Sequence, residues 1–159
     1  MRILKVYLDT SVISYLDQQD APEKMLETQS LWRQLKSGKY AVVISDMVIQ
    51  EINECQPEKR ELLLSYLKQI DYSMIRLTDE IRTLADKILN MGILTKKSTD
   101  DAVHIASAIS ADCDIITSWN FKHIVNVRTI RGIRALSIME GYRELLICSP
   151  PYFMESEEV

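Results

Sequence analysis

The sequence predicts an α/β fold with a mostly parallel sheet flanked by helices. Short apolar runs of strand length, ILKVYL (3–8), YAVVI (40–44), DIIT (114–117) and LLIC (145–148), alternate with longer stretches of helical spacing. Strand and helix signals keep alternating along the chain, which is the pattern of a parallel sheet with helical crossovers. Neither an internal repeat nor a low-complexity linker interrupts it. One domain over residues 1–154 is the simplest reading, with an acidic tail, 155–159, expected to fray.

In order, the strand 3–8 ends at Asp9-Thr10-Ser11, and Val12, Ile13, Tyr15 and Leu16 suggest one or two helical turns. Residues 23–36 place Met25, Leu26, Leu31, Trp32 and Leu35 at amphipathic spacing, and Gly38 follows as the stop. After the strand 40–44, Ser45 is an N-cap candidate for a helix carrying Met47, Val48, Glu51 and Ile52. Pro57 breaks that helix and 58–70 reads as another. Residues 73–77 form a short strand candidate. Thr78 then opens a helix through Ile81, Leu84, Ala85 and Ile88 that Gly92 ends. Ser98 to Asp101 opens a helix whose face is made of Ala102, Ile105, Ala106, Ala108 and Ile109. Beyond the strand 114–117, residues 120–125 read as a turn and short helix, 130–139 as helix and 145–148 as the last strand.

A chain of 159 residues buries roughly 70% of its unfolded surface, enough for a core without metal or disulfide staples. Its hydrophobic fraction of 47% and charged fraction of 26% are globular values. A net charge of −4 argues against a generic nucleic-acid coat, yet it suits a cation site, where bound metal inverts the local charge. Cys55, Cys113 and Cys148 are odd in number and widely spaced, against a disulfide framework or zinc site. The N-terminal run is too short for a secretory signal, and no apolar run approaches the ~18 residues of a membrane span. A cytoplasmic location is the expectation.

Polar residues directly after buried strands are the informative ones, because open α/β sheets bind ligands outside the carboxyl ends of their strands. Asp9 holds one such place; Thr117, Ser118 and Asn120 hold another. Glu51 lies on the helix after the second strand, and Asp100 and Asp101 in the first turn of a later one. Carboxylates gathered this way suit a hard cation, magnesium or manganese, that activates water against a phosphodiester. Each also has a bland reading. Asp9 could be a helix N-cap, Glu51 a solvated helix residue, and Asp100 and Asp101 a complement to the helix dipole.

The segments YLDTSVISYL (7–16), ISDMVIQEI (44–52), DDAVHIASAI (100–109) and DIITSWNFKHI (114–124) resemble, in order and spacing, the four motif blocks of PIN-domain ribonucleases, and most nearly the VapC-like toxins of toxin–antitoxin pairs. The resemblance implies a three-layer PIN-like fold, RNA as substrate, and magnesium or manganese as cofactor. It places the metal-binding and catalytic acids at Asp9, Glu51 and Asp101, with Thr10 or Ser11 assisting. The fourth block's acid or amide falls on Asn120, where the family often has Asp. Asp100 is a further candidate ligand that could compensate for that substitution, and Asp112 and Asp114 are weaker substitutes. The resemblance also implies a homodimer, and an antitoxin that masks the site with an Arg or Lys.

Several neighbours carry two readings. His104, among apolar residues, reads first as a packed, hydrogen-bonded side chain and second as a ligand. His123 has better access and could meet phosphate. Lys122, Arg128, Arg131 and Arg134 are either a solvated surface or an RNA-backbone contact. Trp119 reads as core or dimer contact before base stacking. Trp32 and Tyr15 are candidate apolar dimer contacts. Against the ribonuclease stand a non-catalytic RNA- or protein-binding module, for which Asn120 argues, and a phosphatase with Asp9 as nucleophile. The phosphatase generally needs a second acid where this chain has Ser11.

Overall fold

The computed structural model describes residues 2–156. Five parallel strands form one sheet in the order β3-β2-β1-β4-β5: β1 (Lys5–Leu8), β2 (Ala41–Ser45), β3 (Ser73–Ile75), β4 (Ile115–Thr117) and β5 (Leu146–Cys148). Eight helices flank it among the described residues: α1 (Thr10–Ser14), α2 (Pro22–Lys36), α3 (Asp46–Asn53), α4 (Pro57–Leu67), α5 (Asp79–Asn90), α6 (Thr99–Ser110), α7 (Val127–Glu140) and α8 (Pro150–Phe153). The α/β class and the parallel sheet are as the alternating pattern predicts.

β1 is the central strand. It pairs with β2 through Val6↔Val42 and with β4 through Val6↔Ile115, so Val6, Tyr7 and Leu8 have no exposed surface. The chain steps from β1 to β2 and β3, then crosses back to β4 and β5. Right-handed crossovers place helices on opposite faces when the direction of travel reverses. That reversal falls between the C-terminal ends of β1 and β4, the place where doubly wound sheets form their ligand-binding crevice. Asp9 and Ser118 are the residues that follow those two ends.

The helix ends follow local chemistry. The Ser45 hydroxyl accepts from Met47 N, Thr78 from Ile81 N and the Asn126 amide oxygen from Thr129 N, each capping the helix that follows. Gly92 and Gly141 stop α5 and α7 with φ of 72° and 74°, where a Cβ would be strained. Where the sequence reading differs from the structure, a specific residue accounts for it. Residues 120–125 form turns rather than a short helix. The Asn126 cap then starts α7 at Val127, earlier than expected. Pro57 opens α4 as its first residue, besides ending α3. Pro150 likewise opens α8, which the sequence reading did not foresee. Glu155 is not loose: its backbone exchanges hydrogen bonds with the Gln34 side chain at 2.7 and 3.1 Å. Residues 157–159 of the expected tail lie outside the described residues.

The three cysteines are unpaired, and burial pushes the Cys113 and Cys148 thiols up to about 12. Among the described residues, no helix is long and apolar enough to cross a membrane.

Gly132 sits where α7 crosses the Ile93 side chain. A Cβ there would lie 2.8 Å from both γ carbons of Ile93, a branched side chain with little rotamer freedom. Gly132→Ala is therefore expected to destabilise by about 1 kcal/mol, overpacking of about 2 kcal/mol outweighing a helix-propensity gain of about 1. Urea unfolding checks this, and a variant at least as stable as the parent would contradict it.

Candidate active site

Asp9 stands at the N-cap position of α1, but its side chain makes no capping bond. Its Oδ2 instead accepts hydrogen bonds from the hydroxyls of Ser11 and Ser118, both at 2.7 Å. Each hydroxyl has one proton and directs it at Asp9. The Ser11 and Ser118 oxygens then serve as acceptors, from Trp119 N at 3.0 Å and Asn120 N at 2.9 Å. Asp9 N donates to the Thr117 carbonyl at 3.1 Å, while the buried Thr117 hydroxyl has no partner among the described residues. The segment after β4 is thus tied to the start of α1 through one carboxylate, which is only 5% exposed.

His104 occupies the middle of the cluster and is 1% exposed. Its Nε2 hydrogen-bonds Glu51 Oε1 and lies 3.5 Å from Asp9 Oδ1; its Nδ1 bonds the Tyr7 hydroxyl at 2.7 Å. Tyr7 in turn bonds Ser45 Oγ at 2.7 Å, the same oxygen that caps α3. Thr10 Oγ1 donates to Glu51 Oε1 at 2.8 Å. One imidazole thereby links β1, the β2–α3 junction and α6. The packed reading of His104 agrees with this geometry, and Glu51 is not a free solvated helix residue.

The charges follow from the packing. Burial alone would lower the His104 pKa, but Asp9, the hydrogen bond with Glu51, and Asp101 together hold it above the ordinary histidine value. Burial would raise Glu51, and the His104 hydrogen bond and charge bring it below its ordinary value. Asp101 has no such partner. Burial and then the repulsion of Asp9 lift it to about 6, with His104 and His123 only partly offsetting them. Its Oδ1 accepts from Asn120 Nδ2 at 3.3 Å, and Asn120 Oδ1 accepts from His123 N at 3.0 Å.

The structure therefore brings together Asp9, Thr10, Ser11, Glu51, Asp101, His104, Ser118, Asn120 and His123. Asp100 is exposed on the outer side of the first turn of α6 and makes no hydrogen bond to this cluster among the described residues. Asp114 lies at the opposite end of β4. There it accepts from Lys5 N, Arg2 and Arg143, so it does not substitute for an acid at the crevice. Lys122 is exposed; Arg128 donates to the Gly92 carbonyl, and Arg134 lines a groove with Ile138 and Leu146. His123 Nδ1 faces Ser98 Oγ at 3.4 Å. Trp119 is 6% exposed with its Nε1 on Thr28 Oγ1, so it offers no face to a base. Trp32 is buried and donates to the Tyr66 carbonyl, while Tyr15 stacks on Trp119; neither is the exposed contact the sequence suggested. Tyr7 was missed by sequence reasoning. The available signal was strand alternation, which puts Tyr7 on the same face as Asp9 two residues later.

Oxygen donors suited to a hard cation dominate the crevice, and the raised Asp101 marks unneutralised negative charge beside Asp9. The donor chemistry fits magnesium or manganese. Among the described residues no three His, Cys, Asp or Glu side chains form a group that could hold a metal ion.

Residues 6–119 match the family model of the PIN domain, and the chain belongs to that family. The matched span contains Asp9, Glu51 and Asp101 and ends one residue before Asn120. Among solved structures, the chain is similar to the VapC20 toxin of Mycobacterium tuberculosis, described as cleaving the sarcin–ricin loop. Identity is 16% and the TM-score 0.58, over 74% of this chain and 92% of that one. It is also similar to VapBC2 of Rickettsia felis bound to a promoter DNA fragment, with 12% identity and a TM-score of 0.53 over 91% and 97% of the two chains. At these identities the likeness is one of fold. No curated protein matches the chain by sequence.

His104→Gln removes the cation from between two carboxylates. It is expected to destabilise by about 2–3 kcal/mol near pH 6, less than the ~3–5 of a fully buried pair because Glu51 is partly exposed. A raised histidine pKa stabilises fully below the unfolded value of about 6.5 and loses that contribution as pH rises through the folded value. The penalty should therefore shrink at alkaline pH in denaturant titrations. A penalty that does not change with pH would show that His104 acts by packing alone.

Proposed function

We propose that this chain is a metal-dependent endoribonuclease that hydrolyses RNA phosphodiester bonds at the Asp9–Asp101 crevice, and that it is the toxin of a toxin–antitoxin pair. The observation that carries this reading is the buried Asp9 beside the half-buried, repelling Asp101 at the sheet's switch point, the latter lifted to about 6. Asp9 and Asp101 would hold the cation, with Glu51 able to join through Oε2, which has no hydrogen bond among the described residues. Bound there, magnesium or manganese supplies Lewis acidity to the phosphodiester and to the attacking water. The chain's own groups prepare that place. Ser11 and Ser118 fix Asp9, His104 fixes Glu51, and the Asn120 amide orients Asp101.

Membership of the PIN family supports nuclease chemistry, and the toxin described for the Mycobacterium neighbour supports RNA as the substrate class. The Rickettsia neighbour, VapBC2, supports an antitoxin partner, and an Arg or Lys from that partner at the crevice belongs to the same reading. A cytoplasmic site of action and a homodimer belong to the same reading.

A non-catalytic binding module is the second reading. The absence of a three-residue ligating cluster among the described residues favours it, as does Asn120 in place of an acid. Calorimetry separates the two, since failure to bind magnesium or manganese at millimolar concentration would leave the binding module.

Purified protein with magnesium is expected to cut RNA, and EDTA to stop it. Asp9→Asn and Asp101→Asn should each lower the rate about a hundredfold or more, the loss of several kcal/mol of charge stabilisation. Cleavage that persists equally in both variants contradicts the assignment. Metal affinity should fall as pH drops through about 6, because the proton that returns to Asp101 competes with the cation. Calorimetric affinities on either side of that pH provide the check.

A further inference from the structure

The residue after Asn120 carries a feature that the carboxylate site does not use. Phe121 is 44% exposed and meets Trp119 edge-to-face at 6.1 Å, while Trp119 stacks on Tyr15 at 5.9 Å. The Lys24 ammonium lies over all three rings, 5.1 Å from the centroid of Phe121, 5.7 Å from Trp119 and 5.9 Å from Tyr15. A single exposed aromatic residue needs no explanation. This one adjoins a half-buried cation and directly follows Asn120, whose amide donates to Asp101.

We propose that Phe121 and Lys24 form the nucleotide platform of the site: an unpaired base of single-stranded RNA stacks on the Phe121 ring while Lys24 meets the adjoining phosphate. This rests on the nuclease reading above. The chemistry of the two partners is complementary. A nucleobase offers a π face to an aromatic ring whatever its sequence, and a ribose-phosphate chain approaching two carboxylates needs a cation close by. Trp119 and Tyr15 serve as the backing: buried Trp119 stacks on half-buried Tyr15, and together they fix the Phe121 ring and the Lys24 stem. The Trp119 indole holds α2 through Thr28, and its backbone N–H holds Ser11, so the platform is registered to Asp9 by a continuous set of hydrogen bonds. Bases paired inside a duplex present no open face, so the platform selects unpaired RNA.

The test compares Phe121→Leu, which keeps apolar volume without a π face, with Phe121→Tyr, which keeps the ring. Tyr152→Leu, on α8 and 73% exposed, is the control for an exposed aromatic residue elsewhere. Two readouts are taken. One is KM and kcat for magnesium-dependent cleavage of a short mixed-sequence single-stranded RNA. The other is fluorescence anisotropy of the same labelled RNA bound to the Asp9→Asn protein carrying each change. Phe121→Leu is expected to raise KM and Kd about tenfold with kcat within about twofold of the parent, and Phe121→Tyr and Tyr152→Leu to stay close to the parent. Lys24→Gln should flatten the dependence of log Kd on log salt by about 0.7, one phosphate contact on a single strand. A Phe121→Leu protein that cuts and binds like the parent overturns the platform and leaves the nuclease reading intact. Phe121-dependent binding without any cleavage sustains the platform and removes the nuclease. Absence of both binding and cleavage in the parent removes both.

Discussion

One buried imidazole, hydrogen-bonded to Glu51 and 3.5 Å from Asp9, balances the charge of the carboxylates gathered around it. Asp9, Glu51 and Asp101 come from three distant parts of the chain and converge with Asp9 buried and the other two half-buried, an arrangement that is costly for like charges. His104 lies between Glu51 and Asp9 and lowers that cost. Its other nitrogen is fixed by Tyr7, and Tyr7 by the serine that caps α3. Side-chain direction is thus set by β1, helix start by Ser45 and charge balance by α6. Asp101 receives least of this compensation and retains the raised pKa. Perturbed carboxyls in a crevice are a common mark of functional sites. Here the cause is specific: burial first, then Asp9.

The sheet order explains why these groups meet. Because β1 is central and the chain reverses direction after β3, the ends of β1 and β4 lie side by side and the loops after them diverge. Asp9 and Ser118 occupy those two ends, so a hydrogen bond between them crosses the switch point. The segment 118–121 then carries three tasks in four residues. Ser118 fixes Asp9, Trp119 anchors α2 and Asn120 orients Asp101, which leaves Phe121 exposed beside them.

Much of this was legible in the sequence where local chemistry decides. Apolar runs of strand length marked β1, β2, β4 and β5. The caps at Ser45 and Thr78 and the stop at Gly92 marked helix ends. The strand-end position of Asp9 marked the crevice. What stayed hidden depends on partners far along the chain. Glu51 and His104 are 53 residues apart, and nothing local to either indicates the bond between them. Asp9 looked like an N-cap because its position is one; only the packing of Ser118 shows that its side chain is otherwise engaged. Trp119 could have been surface or core, and the Thr28 hydroxyl that receives its indole N–H lies 91 residues away. Asp100 and Asp101 are adjacent in sequence, yet one helical step of about 100° separates their directions, leaving the first exposed and turning the second to the crevice.

The balance of the three carboxylates depends on His104 carrying a positive charge among them. A direct measurement is the NMR titration of the His104 ring nitrogens in the metal-free protein. A midpoint above the ordinary value of about 6.5 is expected, with both nitrogens protonated below it and the transition moving down in Glu51→Gln. A neutral ring that titrates below that value, and does not respond to Glu51→Gln, would contradict a charge-balancing role for His104.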